Sequence, residues 1–280
     1  MNRAASKEDT LHWTYDGKNG YIGQTKWYTL KNSQCGGKRQ SPIDIQTNKL
    51  VLMKSLEIEY KGYYKPLRNP YVENNGHTVQ LMSSDKKNLP MITGSALDNQ
   101  VYKFVQAHFH WGVRNGFGSE HKINGRAFAL ELHLVHVNTK YKTLEEALGN
   151  PDGLAVLAVL YKVSRKINPY IRPLMRNTAK VTYSLERKAI REPIVLRNLL
   201  PPKPKPFMKY YGSLTTPPCS EVVTWIVFRD IASIGIKQEN VFRQKRGEVI
   251  DEKTGKFKRI GNNFRTVNDL NGRKVYISSS

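Results

Sequence analysis

The sequence predicts a mainly β (α+β) fold, a single domain around a large, mostly antiparallel, twisted central β-sheet with short peripheral helices. Three observations carry that expectation. Short apolar or alternating runs recur along the 280 residues, bounded by Gly, Asn, Pro or Asp. Helical periodicity is confined to a few short stretches. The two kinds of segment do not alternate as strand–helix–strand units, which argues against a parallel, doubly wound sheet.

In chain order, strands are expected over 56–60 and 79–82, then over the long alternating stretches 101–111 and 127–137. The run 154–163 is almost continuously apolar, as a strand buried on both faces requires, and 222–228 reads the same way. Short helices are expected over 143–148, 167–175 and 238–242. The segment from Pro201 to Pro206 alternates Pro and Lys and reads as extended polyproline, too short to separate two domains. With no repeat and no convincing linker, residues 1–280 are expected to form one domain with an ordered core of about 10–277.

A composition of 39% hydrophobic and 10% aromatic residues supports a sizeable core and excludes a wholly disordered chain. The longest apolar run, 154–160, is far short of the roughly 20 residues of a membrane helix, so no transmembrane segment is expected. The charge is unusual: 45 Lys and Arg against 23 Asp and Glu give +22. Residues 161–210 hold 13 Lys and Arg against only Glu186 and Glu192, a local excess of +11. Such a field attracts polyanions such as an acidic matrix or a sulfated polysaccharide; it is equally the signature of a soluble, solvated basic face. No nucleic-acid-binding motif is present, and no nucleic acid is expected as a partner.

Two segments carry chemistry. One runs from Gln106 through His108 and His110 to Gly112; the other runs from Glu131 through His133 to His136. Residues two apart on a strand share a face, so His108 and His110 project together, as do Glu131 and His133. The Gly- and Asn-rich stretch between the segments suits a connection between neighbouring strands. If those strands pair antiparallel, three imidazoles converge. Three neutral His ligands with one open position describe a catalytic zinc site, in which bound water loses a proton near neutral pH. Taken singly, each histidine is better read as a hydrogen-bonded core or surface residue. Gln106 and Glu131 stand where they can hold the second ring nitrogen of a ligand histidine.

Cys35 and Cys219 admit two readings: free buried thiols in a reducing compartment, or a disulfide closing a long loop in a secreted chain. The N-terminal residues show no apolar signal core and the C-terminal residues no lipid-anchor tail, so an exported protein is expected to be present here as its mature form. No Asn-x-Ser/Thr sequon occurs.

From His12-Trp13 to Tyr276 the sequence resembles the α-carbonic anhydrases. The resemblance rests on Gln40-Ser-Pro-Ile-Asp-Ile45, Asn74-Asn-Gly-His77, His108-Phe-His-Trp-Gly112, Gly118-Ser-Glu-His121, Glu131-Leu-His-Leu-Val-His136, Pro151-Asp-Gly-Leu-Ala-Val156, Leu214-Thr-Thr-Pro-Pro218 and Thr224-Trp225. It implies Zn²⁺ on His108, His110 and His133. It implies that Thr215 and Glu120 orient the reacting hydroxide, and that Thr215 and Thr216 contact substrate. Val135, Leu154, Val156, Leu214, Val223 and Trp225 correspond to the apolar wall that holds carbon dioxide. His77 corresponds to the proton shuttle, with Tyr15, Asn75 and Gln80 ordering water; Gln80 stands where Asn is common.

The implied reaction is reversible hydration of carbon dioxide to bicarbonate and a proton, inhibited by sulfonamides and small anions. Cys35 and Cys219 match the disulfide of extracellular members, which implies secretion. The alternative expectation is a catalytically silent member of the fold that binds polyanions through its basic surface. Such relatives usually have substituted ligand histidines, and here all three stand.

Overall fold

A computed structural model of the protein describes residues 13–18, 20–251 and 254–279. His12, where the resemblance begins, and the first residues of the expected ordered core lie outside them. One large sheet organises the chain. Its principal strands are β1 (Val51–Leu52), β2 (Pro70–Asn74), β3 (Val79–Ser83), β4 (Tyr102–Trp111), β5 (Leu130–Asn138), β6 (Leu154–Ser164), β7 (Arg187–Ala189), β8 (Phe207–Gly212), β9 (Val223–Phe228) and β10 (Tyr276–Ile277). Across the sheet they run β7-β2-β3-β4-β5-β6-β9-β8-β10-β1, and three short strands at the side bring the total to 13. Along that path only β6–β9 and β10–β1 pair parallel.

Each face of the sheet buries its own apolar cluster. Ala107, Phe109, Leu132, Leu134, Leu157, Val159, Ile226 and Phe228 point to one face. There they meet Leu174 and Met175 of the helix Arg172–Thr178, together with Ile190, Leu196 and Leu199. Val135, Val156, Ala158, Met208, Tyr210, Val223, Trp225 and Val227 point to the other face. The period of two along each strand produces this division, since successive side chains leave opposite sides of the backbone. β6 is buried throughout Leu154–Tyr161 because both faces are covered.

The expected long strands are present, with small end shifts. Two of the three helices are displaced, to Arg172–Thr178 and Ile236–Glu239. β2 and β8 were not expected. β2 alternates in burial, but it sets Tyr71 beside Val72 and buries Asn74, and β8 carries Lys209 with its side chain 5% exposed, so neither sequence alternates cleanly. Among the described residues, no helix is long and apolar enough to cross a membrane.

Candidate metal centre

β4 and β5 pair antiparallel with His108 directly opposite His133 and His110 opposite Glu131. His108, His110 and His133 therefore leave the same face of the sheet, one that is shared with Val135 and Trp225. His110 Nε2 lies 3.1 Å from His133 Nδ1, which lies 3.3 Å from His108 Nε2. Two nitrogens bound about 2.0–2.1 Å from one tetrahedral ion stand about 3.3 Å apart, so the spacing fits a zinc ion.

The outer nitrogen of each ring faces an acceptor. His108 Nδ1 donates to Gln106 Oε1 at 2.9 Å, His110 Nδ1 to the Asn263 carbonyl at 2.7 Å and His133 Nε2 to Glu131 Oε1 at 2.7 Å. These bonds place the ring protons outward and turn three lone pairs inward toward one another. A metal cation among the three nitrogens would satisfy that arrangement. All three imidazoles are held neutral. Burial lowers His108 well below the usual histidine range, with the other two rings adding to it, and lowers His110 to about 3; it also lowers His133, against the pull of Glu131.

Glu131 is a hub. Its Oε2 accepts the backbone N–H groups of Glu120 and His121, both at 2.8 Å, and its Oε1 also accepts from His121 Nδ1 at 2.6 Å. Burial pushes its carboxyl up, but the interactions with His121 and His133 win and hold it well below the usual range. His121 Nε2 in turn meets the Tyr210 hydroxyl at 2.7 Å. His121, Glu131 and His133 also group closely enough to hold a cation, but their mutual hydrogen bonds occupy those atoms.

Glu120 is buried with Oε1 accepting the Arg265 N–H at 2.8 Å and Oε2, among the described residues, without a hydrogen-bond partner, 3.4 Å from His110 Nε2. Burial pushes its pKa well above the carboxylate range and Glu131 adds to this, while the nearby Thr215 side chain and Arg265 oppose it. A divalent cation beside it would reverse that balance in favour of the carboxylate.

Thr215 is buried and Thr216 half-buried in the turn between β8 and β9. That turn is closed by Leu214 N–H to Ser220 C=O at 3.0 Å and braced by the disulfide from Cys219 to Cys35. Trp225 packs edge-on against His133 with ring centroids 4.7 Å apart. Val135, Leu154, Val156 and Val223 share its cluster, with Leu214 packed against it. An apolar wall thus adjoins the imidazole trio.

His77 follows Gly76, whose φ of 88° suits a residue without a Cβ. Asn75 Oδ1 accepts the N–H groups of His77 and Thr78, so it builds the turn. The His77 ring stacks on Trp13 at 4.1 Å. Both line a cavity of about 480 Å³ with Tyr15, Asn262 and Phe264, the last two flanking the Asn263 that holds His110. Gln80 stands opposite His108 on β3 and shares its face.

Sequence patterning assigned no role to Asn263, Arg265, His121 or Tyr210. The first two act on the histidines and Glu120 through backbone groups, which leave no side-chain signature. His121 lies in a recognised stretch and is 0% exposed, yet nothing in the sequence marks it as Glu131's partner.

A family model of the eukaryotic-type carbonic anhydrases matches residues 22–279. The chain belongs to that family. It is 33% identical to carbonic anhydrase 15 of Mus musculus, over 98% of this chain and 86% of that protein. It is 36% identical to carbonic anhydrase 7 of Homo sapiens, over 95% of this chain and 97% of that one. To carbonic anhydrase 6 of Bos taurus it is 34% identical, over 94% and 79%.

Proposed function

We propose that this chain is a zinc enzyme that hydrates carbon dioxide reversibly to bicarbonate and a proton, and that it acts outside the cell as a single domain. One observation carries the reading: three imidazole nitrogens stand 3.1 and 3.3 Å apart with their lone pairs turned inward. His108, His110 and His133 would hold the metal. Zinc bound there would lower a water's pKa from about 15.7 to about 7 and so supply hydroxide at neutral pH, magnitudes known from the carbonic anhydrases themselves.

The chain's own groups do the rest. Glu120 Oε1 is fixed by Arg265, leaving Oε2 to accept the Thr215 hydroxyl proton. The Thr215 oxygen is then an acceptor, and it turns the attacking lone pair toward carbon. The Thr215 N–H and the Thr216 side chain hold the product oxygen. Val135, Leu154, Val156, Leu214, Val223 and Trp225 give a substrate without a dipole a place from which water is excluded. His77 receives the proton released in each turnover, since histidine's ordinary pKa, about 6.5, suits exchange with buffer. Tyr15, Asn75 and Gln80 order the intervening water. Sulfonamides and small anions compete for the open position. The disulfide supports an oxidising, extracellular setting.

Zinc content and stopped-flow hydration, measured on the wild type and on His110→Ala, test the proposal. About one zinc per chain and sulfonamide-sensitive hydration are expected, both lost in the variant. Less than about a tenth of a zinc per wild-type chain, or no sulfonamide-sensitive rate in zinc-loaded protein, would leave a catalytically silent polyanion-binding module instead.

A further inference from the structure

Residues 165–206 join β6 to β8 and pass over the sheet face opposite the imidazole trio. Their apolar residues, among them Ile171, Leu174, Met175, Ile190 and Leu196, enter the cluster on that face. Their cations remain outside. Lys166, Arg172, Lys180, Lys188 and Arg191 are exposed and, among the described residues, take part in no ion pair.

With both acids subtracted, residues 161–210 retain an excess of +11. Glu186 Oε2 accepts the backbone N–H groups of Thr182 and Tyr183. Glu192 pairs with Arg176 at 3.0 Å and accepts from Asn177. The layer is therefore apolar inward and cationic outward, with its few carboxylates already engaged.

We infer that this outer layer is a docking surface for a sulfated polysaccharide. A sulfate ester carries a permanent negative charge, matching cations that stay protonated throughout the physiological range. The cations lie on separate short elements, a distribution that suits a linear polymer of repeating charge better than a small anion. Only the compartment is taken from the extracellular reading above. The layer covers the face of the sheet away from the imidazoles, so a bound polymer leaves the metal centre uncovered.

Retention of the full-length protein on immobilised heparin, as a function of salt, tests the surface. Two variants of equal charge are compared: Lys166→Gln/Arg172→Gln/Lys180→Gln/Lys188→Gln within the layer, and Lys31→Gln/Lys49→Gln/Lys54→Gln/Lys86→Gln outside it. The wild type and the outside variant should elute well above about 0.15 M salt. The layer variant should bind at least about tenfold more weakly, and its slope of log affinity against log salt should be shallower by about 0.7 for each cation that no longer meets a sulfate.

Equal shifts in the two variants would mean a response to net charge alone and would overturn the surface, as would wild-type elution below physiological salt. Displacement from heparin by polyaspartate or duplex DNA as readily as by a heparin fragment of equal charge would overturn the choice of polymer. Circular dichroism of both variants identifies a loss that comes from misfolding, and single-site Lys188→Gln then replaces the fourfold change.

Discussion

Removing the Cys35–Cys219 disulfide should lower stability far more than it alters the folded site. The bridge joins residues 184 apart with their Cα atoms 4.8 Å from each other. In the chain-entropy account, closing a loop of that length in the unfolded chain is worth about 5 kcal/mol. Hydrogen bonds hold the same segments together without it. Gln34 N–H meets the Pro218 carbonyl at 2.8 Å, Gln40 Nε2 the Cys219 carbonyl at 3.2 Å, and the Arg265 guanidinium the Cys35 carbonyl at 2.9 Å. The cost should therefore fall mainly on the unfolded state. The assay is guanidinium unfolding of the wild type and of Cys35→Ser/Cys219→Ser. The midpoint should drop by an amount equivalent to about 3–5 kcal/mol, with a steeper slope because the uncrosslinked chain exposes more surface. Zinc content before the transition should be unchanged. A loss below about 1 kcal/mol, or zinc loss in the folded variant, would refute the reasoning by showing that the bridge shapes the native turn instead.

Replacing Gln106 by Leu removes the acceptor of His108 Nδ1, and zinc affinity should fall about 10- to 100-fold in chelator competition while the fold persists. Asn263→Ala strands the Trp111 N–H, which Asn263 Oδ1 accepts at 2.7 Å, and loses donation to the His77 and Phe109 carbonyls. Chemical unfolding should register a loss of about 2–4 kcal/mol, and zinc should bind more weakly because the carbonyl that holds His110 shifts. Lys245, 1% exposed with Nζ donating to the Thr178 carbonyl, is lowered by burial from 10.5 to about 8. Between those values the unfolded chain binds more protons, so Lys245's contribution to stability rises with pH across the window. The stability difference between wild type and Lys245→Met should move in the wild type's favour from pH 8 to 10.5; a flat difference would contradict the assignment.

The metal trio was legible because it depends on one rule of strand geometry. Residues two apart share a face, and both segments were long enough to display the period. Gln106 and Glu131 followed from the same rule, and the structure gives each one histidine of the trio to hold. Asn263 was not legible. It meets His110 from 153 residues away and through a carbonyl, a group every residue possesses. Its side chain binds three more backbone groups, again without a pattern in sequence. The helix expected over 167–175 begins instead at Arg172, with Pro173 in its first turn, where the missing N–H is tolerated. Asn168 is taken up by Ser233 and Gln238. Those contacts lie about 65–70 residues away in the chain, beyond the reach of local periodicity.

Strand alternation keeps a fourth histidine, His136 of β5, out of the site, and an irregularity in β4 matches the neighbouring strand to it. Strict alternation from His110 and His108 through Gln106 would put Phe104 on the metal face. Instead the pairing passes from Phe104↔His136 to Gln106↔Val135, so two residues of β4 oppose one of β5. That bulge at Val105 turns Phe104 to the opposite face, where it joins the core. His136, paired with Phe104, already lies on that face, being three residues from His133 on β5. Its ring meets Phe104 edge-on at 5.8 Å, and its Nε2 lies 2.6 Å from the Tyr63 hydroxyl. The burial that accomplishes this lowers its pKa to about 3, so it stays neutral. A slip of one residue would exchange the two faces. Glu131, His133 and Val135 would enter the core, where a carboxylate has no partner, and the trio would lose its third nitrogen. The register that hides His136 is thus the one that gathers the other three; deleting Val105 would join Phe104 to Gln106 with both flanking registers kept, so metal analysis of that variant should still find zinc.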